Sequence, residues 1–182
     1  MKKTVLTFGL ISGVISSLLM AGNMSIIDKI GFDKGTYFGY TALVLSFILV
    51  FYGIRSYRDN VGGGHVSFGK AFQVGILITL ISCVFYVATW EVVYDTHKTA
   101  MTDFMDKYTA HVIEKEKAAG ASEAVLQQKM AEMAKAKEMY RNPVIRAGWT
   151  FLEPFPVGLV ITLVSALILR KKPRAEVATV QR

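Results

Sequence analysis

The sequence predicts an all-α membrane protein with four transmembrane helices and a helical hairpin between the third and the fourth. Of its 182 residues, 52% are hydrophobic and only 19% are charged, whereas soluble domains average about 25% charged residues. A helix needs about 20 apolar residues to cross the hydrocarbon core of a bilayer. Four segments with almost no charge reach that length: 4–27, 35–54, 71–90 and 147–169.

The distribution of charge supports the same fold class. The net charge is +7, which on its own could indicate binding to nucleic acid. The N-terminus, the segment 55–70 and the tail after Leu169 hold ten bases and two acids, whereas the segment 95–146 holds nine bases and eight acids. An excess of bases in short segments beside spans marks the cytoplasmic side. We therefore predict that both chain ends are cytoplasmic and that the protein contacts lipid, not nucleic acid.

Residues 1–94 are expected to hold the first three spans. In order, the spans are predicted at residues 4–23, 36–54 and 70–94. The cytoplasmic loop 55–69 contains three consecutive glycines, which disfavour a helix. In span one, Gly9 and Gly13 have the spacing that lets helix backbones approach closely, and we expect packing within the chain more than dimerisation.

Residues 95–146 are predicted to form an extracytoplasmic helical arm. From Met101 onward, apolar residues recur at spacings of three and four, as in an amphipathic helix. Gly120 interrupts this pattern, and Ser122 is a suitable N-cap for a second helix. We expect an antiparallel hairpin. Its first helix is predicted to continue span three without a break, because no glycine or proline separates Gly75 from Gly120.

Four methionines lie on the predicted apolar faces of the arm: Met101, Met105, Met130 and Met133. Methionine side chains are flexible and fill irregular gaps. We expect them to pack the two arm helices together. Binding of a partner or of a second copy is the alternative.

Span four is predicted within residues 147–172, starting near Trp149 and ending at Leu169. Pro154 and Pro156 lie in its first turns and either mark the true start of the helix or kink it. Residues 173–182 are expected to be a disordered basic tail.

Glu91 and Glu153 are the acids inside or beside the third and fourth spans. An ionisable group at membrane depth is costly and is therefore a functional candidate. Lys98 lies seven residues after Glu91 and Arg146 seven before Glu153, so each acid has a base on its own helical face. The alternatives are a structural ion or hydrogen-bond network and coupling to a proton or a ligand.

Glu153 is the stronger functional candidate of the two acids. Pro154 and Pro156 disturb the backbone beside it, and transporters often build their sites from broken helices. We therefore include both prolines with the two acids as candidate functional residues.

A second candidate cluster lies in and beside the cytoplasmic loop and comprises Arg55, Tyr57, Arg58, Asp59 and Lys70. The bases would lie at the level of anionic lipid head groups, which attract each base by about 1 kcal/mol. Asp59 is expected to pair with one of the bases and fix the turn.

The sequence contains no recognisable catalytic or metal-binding constellation. The three histidines are scattered, and the single cysteine, Cys83, lies in the middle of span three. Residues 64–71 match all but the last position of a phosphate-binding loop, where Ala71 replaces the hydroxyl residue that binds Mg²⁺. We therefore predict a protein that is not an enzyme and that has no cofactor and no metal.

Two regions of the sequence resemble an uncharacterised bacterial membrane family, catalogued as domain of unknown function 4199. The first contains the motifs 54–59, 62–64 and 67–72, and the second contains 142–143, 150–153, 156–159 and 169–172. The recurring family residues that match are Arg55, Tyr57, Asp59, Gly64, Phe68, Gly69, Lys70, Phe72, Glu153 and Pro156. The resemblance spans residues 4–172. It implies a small four-span protein of the bacterial cytoplasmic (inner) membrane and no particular activity.

Two functions are compatible with this organisation. The first is a scaffold or interaction protein whose arm contacts an envelope protein or another copy of the chain. The alternative is a small transporter or channel subunit coupled through Glu91 and Glu153. Because both acids lie near one end of the spans, the sequence offers no continuous polar path across the bilayer, which favours the scaffold.

Overall fold

The computed structural model describes residues 1–171, in which helices alternate with short connections. The helices are α1 Lys2–Ile30, α2 Phe32–Asn60, α3 Phe68–Thr96, α4 Lys98–Ala118, α5 Glu123–Tyr140, α6 Pro143–Leu152 and α7 Pro154–Leu169. The predicted disordered tail, and Lys172 at the end of the segment 147–172 that contains predicted span four, lie outside the described residues.

Four helical segments are long and apolar enough to cross a membrane: α1, α2, α3 and the pair α6–α7. The predicted all-α membrane fold with four spans is therefore confirmed. Each of the first three helices has 29 residues and is about 42 Å long at 1.5 Å per residue. The hydrocarbon core is only about 30 Å thick, so the helices extend beyond the apolar stretches by which their spans were predicted.

The spans form an up-down-up-down bundle in which α1 lies against both α2 and α3, and α7 lies against both α2 and α3. A Cβ atom added at Gly9 would lie 2.9 Å from the Ile81 Cβ atom, and one added at Gly13 would lie 2.8 Å from the Phe85 Cβ atom. The two glycines therefore bring α1 close to α3. This pair packs within the chain, as expected from its spacing.

Hydroxyl groups join the spans inside the bundle. The buried Ser12 Oγ donates a hydrogen bond to the Ser46 carbonyl oxygen at 2.9 Å, and the hydroxyls of Thr79 and Thr162 are 3.0 Å apart. Ser82 Oγ also lies 3.3 Å from a carbonyl oxygen of α1. Small residues and interhelical hydrogen bonds are how spans associate where the hydrophobic effect supplies no driving force between them.

The helix of span three ends before the arm begins. His97 leaves helical geometry at φ −124° and ψ 39°, and α4 starts at the next residue. The expectation of one continuous helix is therefore wrong, although neither glycine nor proline causes the break. The break lets α4 turn back over the end of the bundle, where its Lys107 Nζ lies 2.9 Å from the Asp28 carboxylate of α1.

The two arm helices pack against each other. Gly120 has φ +82°, a conformation that residues with a Cβ atom rarely adopt, and it forms the turn between α4 and α5. Lys137 on α5 pairs with Asp106 on α4, as expected for an antiparallel pair. Ser122 precedes α5, but its side chain makes no capping hydrogen bond. The location of this hairpin on the extracytoplasmic side stays a prediction.

Span four begins earlier than predicted and is interrupted. The Asn142 side chain accepts a hydrogen bond from the Val144 N–H at 2.9 Å, so α6 starts at Pro143 and not near Trp149. The helix ladder then breaks at Glu153, and Pro154 is the first residue of α7. Because proline has no N–H to donate, Pro154 interrupts the span instead of marking its start.

Candidate functional site

The arm covers a cavity at one end of the bundle. The cavity has a volume of about 520 Å³ and is lined by α1, α2, α3, both arm helices and the break in span four. Six arm residues form the cover over the bundle: Phe104, Met105, Tyr108, Met133, Ala136 and Tyr140. Cavities of 300–1,000 Å³ with a mostly apolar lining are typical of sites for small organic ligands.

Glu153 lies at the break in span four and lines this cavity. Its side chain retains accessible surface although protein surrounds it, because it faces the cavity. The Tyr86 hydroxyl is positioned to donate towards its carboxylate. Within residues 1–171, no lysine, arginine or histidine forms an ion pair with Glu153.

The carboxylate of Glu153 lies deep in the span. Its neighbour Tyr86 is ten residues from the Thr96 end of α3, a distance of about 15 Å along the helix axis. If the 42 Å helix is centred on about 30 Å of hydrocarbon, only the outer 6 Å at each end projects from it. With that placement Glu153 would lie within the hydrocarbon depth, where an unpaired charge is costly.

Three buried polar atoms near the cavity have no hydrogen-bond partner in the described chain: Asn23 Oδ1, Trp90 Nε1 and Thr150 Oγ1. Asn23 and Trp90 line the cavity itself. The Tyr140 hydroxyl approaches Trp90 and Thr150 without reaching good hydrogen-bond geometry. Burial raises the pKa of Tyr140, which keeps its hydroxyl protonated. A buried polar atom without a partner costs about 1–3 kcal/mol, so such a group needs an explanation.

The lining combines aromatic rings with a single acid. Eight aromatic side chains contribute: Phe32, Tyr40, Tyr86, Trp90, Phe104, Tyr108, Tyr140 and Trp149. Glu153 is the one acid among the described lining residues, and none of them is lysine, arginine or histidine. The wall of this cavity is therefore apolar, rich in π-electrons and able to carry a negative charge.

Glu91 has a different environment. Arg146 Nε donates to the two Glu91 carboxylate oxygens at 3.0 and 3.1 Å, and the Arg146 guanidinium carbon lies 3.8 Å from the centroid of the Tyr94 ring. The Arg146 side chain is only 3% exposed. Of the two alternatives for this acid, the geometry matches a structural ion network.

The base on each acid's own helical face is not its partner in the structure. Arg146 pairs with Glu91 on the neighbouring span and not with Glu153 on its own, while Lys98 contacts Asp95 at 3.8 Å. The helix break at His97 separates Lys98 from the helical face of Glu91, and α6 lies close enough to α3 for Arg146 to reach across.

The candidate cluster in and beside the loop 55–69, which is predicted to be cytoplasmic, is only partly assembled. Asp59 lies 2.7 Å from Arg58 Nε and 3.6 Å from Arg55 Nε, so the expected pairing with bases is confirmed. Lys70 instead donates to Gln73 at 2.9 Å, and Tyr57 packs against the bundle core. This cluster lies at the end of the bundle opposite to the cavity.

The loop is also tied to the end of span four. The Val66 N–H donates to the Lys171 carbonyl oxygen at 3.0 Å, and the Lys171 N–H donates back at 2.9 Å. No side-chain pattern in the sequence signals this backbone pairing.

The arm methionines divide into three environments. Met101 is buried, Met105 and Met133 line the cavity, and Met130 is 55% exposed. The expectation that all four pack the arm helices together is therefore wrong for Met130. In residues 1–171, no group of three or more histidine, cysteine or carboxylate side chains is arranged to bind a metal ion.

Sequence reasoning identified Glu153, Pro154 and Pro156 but not the rest of the cavity. Pro154 is buried at the start of α7, beside the acid, whereas Pro156 is not among the lining residues. Asn23, Tyr86, Trp90 and Tyr140 were not distinguished from ordinary span and arm residues. One available signal was Asn23, a polar side chain at the end of a long apolar stretch.

The comparisons with known proteins give one match. A family model described as "Protein of unknown function (DUF4199)" matches residues 7–171. No curated protein and no solved structure matches the chain.

Proposed function

The chain belongs to the DUF4199 family of proteins of unknown function, and we propose that it is a non-catalytic membrane protein that binds an apolar molecule beneath its helical arm. The observation that supports this proposal most directly is the cavity of about 520 Å³ between the arm and the bundle. The cavity is partly open and has arm residues on one side and bundle residues on the other, as expected for a site that a ligand can enter.

The contacts between the arm and the bundle are of a kind that would allow the arm to open and close over the cavity. Phe32, at the start of α2, packs against Phe104 and Tyr108 with ring centroids 5.4 and 5.5 Å apart. Around this cluster, Lys107 pairs with Asp28 and Lys115 pairs with Asp33 at the surface. Exposed ion pairs contribute little to stability. Separating the arm from the bundle would therefore mainly require breaking two aromatic clusters, the one around Phe32 and the one in which Tyr140 contacts Tyr94 and Trp149.

The test uses an uncharged, apolar fluorescent probe, N-phenyl-1-naphthylamine, with the purified full chain in detergent. The two tryptophans of the chain, Trp90 and Trp149, both line the cavity, so energy transfer from them reports occupancy. We expect saturable transfer in the wild type and its loss in Ala136→Phe, which fills the cavity from α5. Ala131→Phe is the matched control, because Ala131 is an exposed residue of the same helix. Equal transfer in both variants would contradict the proposal.

A second candidate function is the scaffold, which acts through the outer face of the arm. It is favoured by apolar side chains that α5 leaves exposed: Val125 at 47%, Met130 at 55% and Met139 at 38%. An envelope protein or a second copy of the chain would cover this face. Cross-linking with mass spectrometry in native membranes tests the idea, since Met130→Glu should remove any partner cross-linked to α5 and leave probe binding unchanged.

In the transporter alternative, only one of the two acids remains available for coupling. Glu91 already has a strong partner in Arg146, so Glu153 is the acid left for coupling. The hydroxyls of the bundle core bond to neighbouring helices, and this favours a binding site open towards one end over a path across the membrane. Flux through proteoliposomes that depends on Glu153 would support transport instead.

A further inference from the structure

The charge of the cavity restricts which apolar molecule it can hold. Glu153 is the one acid among its described lining residues, and no base accompanies it. Arg146, the buried base closest in sequence, binds Glu91 and stacks on Tyr94, so it does not neutralise Glu153. The protein thus presents a carboxylate at hydrocarbon depth without its own counter-charge.

Anionic, neutral and cationic ligands would interact differently with the lining of this cavity. An anionic amphiphile would face the Glu153 carboxylate and be repelled. With a neutral ligand, Glu153 would either carry an uncompensated charge in an apolar environment or have to take up a proton. A cation would supply the missing counter-charge, and the faces of the surrounding aromatic rings attract cations as well.

We propose that the ligand of this cavity is a lipophilic organic cation, whose charge contacts Glu153 and whose apolar body packs among the aromatic rings and methionines beneath the arm. The inference rests on the proposed function and specifies its ligand class. The aromatic side chains come from the bundle and from the arm, so they surround a bound cation from both sides: Tyr86 and Trp90 from α3, and Tyr108 and Tyr140 from the arm. The unpaired Asn23 Oδ1 adds a further oxygen that favours a positively charged group.

The test compares two probes of the same shape and opposite charge, tetraphenylphosphonium and tetraphenylborate. Each is titrated into the full chain in detergent while the fluorescence of Trp90 and Trp149 is recorded. We expect a saturable change with the phosphonium and none with the borate. Glu153→Gln should weaken phosphonium binding at least about tenfold, which is the scale of losing one contact to a charged group.

Glu114→Gln is the matched control. It removes the same charge from an exposed acid of the arm that does not line this cavity, and it should bind the phosphonium like the wild type. Binding of both probes with equal affinity, or unchanged phosphonium binding in Glu153→Gln, would overturn the inference.

The neutral probe N-phenyl-1-naphthylamine separates this inference from the proposed function. If it binds in the cavity while the phosphonium does not, the ligand class is wrong and the binding function stands. If neither probe binds, both proposals fail. Circular dichroism of each variant establishes that the helices are retained, so that loss of binding is attributed to the site.

Discussion

Arg146 of span four binds the carboxylate of Glu91 on span three and lies against the ring of Tyr94. This relationship gives the two membrane acids different roles. Glu91 has a buried counter-charge, whereas Glu153, at the break of span four, has none among the described residues and faces the cavity. The first acid joins two spans, and the second is available to a ligand.

Glu91→Gln should destabilise the protein. The substitution leaves the almost fully buried guanidinium of Arg146 with only the exposed Asp95 carboxylate, 3.8 Å away, and breaking a buried pair on one side typically costs about 3–5 kcal/mol. We expect a clearly lower melting temperature in detergent. The double variant Glu91→Met with Arg146→Met should recover much of the loss, and a single variant as stable as the wild type would show that the pair contributes nothing.

Glu153→Gln should have the opposite effect on stability. Because no base in the described chain pairs with Glu153, the variant removes a desolvated charge and loses no ion pair. We therefore expect a melting temperature equal to or above that of the wild type in the absence of ligand. A loss as large as that of Glu91→Gln would mean that Glu153 has a structural partner.

Gly9→Ala should destabilise the contact between α1 and α3. The new Cβ atom would lie 2.9 Å from two atoms of Ile81, and overpacking of this kind typically costs about 1–3 kcal/mol. Gly22→Ala is the matched control, since Gly22 lies on the same helix with nothing within 4 Å of a new Cβ atom. Replacing that glycine should stabilise the helix by about 0.5–1 kcal/mol. If Gly9→Ala and Gly22→Ala shift the melting temperature in the same direction, the close packing of α1 against α3 is contradicted.

Opposite ends of the bundle should react with reagents on opposite sides of the membrane. Lys129→Cys places a thiol on the arm, and Val61→Cys places one in the loop at the other end, where Val61 is 54% exposed. The native Cys83 is buried and should not react. With a membrane-impermeant maleimide on intact cells, we expect labelling of Lys129→Cys at once and of Val61→Cys only after permeabilisation. The reverse pattern would overturn the predicted orientation with both chain ends in the cytoplasm.

Sequence reasoning predicted the spans because their signal is local. Four apolar stretches of sufficient length are visible residue by residue, and the thickness of the hydrocarbon core determines how long they must be. The interruption at Gly120 was also predicted, because glycine disfavours a helix, and Gly120 adopts φ +82° in the turn between α4 and α5. In contrast, the break at His97 has no comparable local signal and was missed.

The partners of the charged residues were not predictable in the same way. The spacing of seven residues placed a base on the helical face of each acid, but Glu91 pairs with Arg146, 55 positions away. Such a pair depends on how two helices are rotated and shifted against each other, and neither quantity follows from hydropathy.

The amino-acid sequence alone establishes a four-span membrane protein with a polar helical arm, because the cost of exposing charge and backbone to hydrocarbon acts on each segment separately. The tertiary structure determines that the arm folds back over the bundle. It also determines that Arg146 forms an ion pair with Glu91 and that Glu153 faces an aromatic cavity. These features arise only where several helices meet, so no single segment contains the information that specifies them.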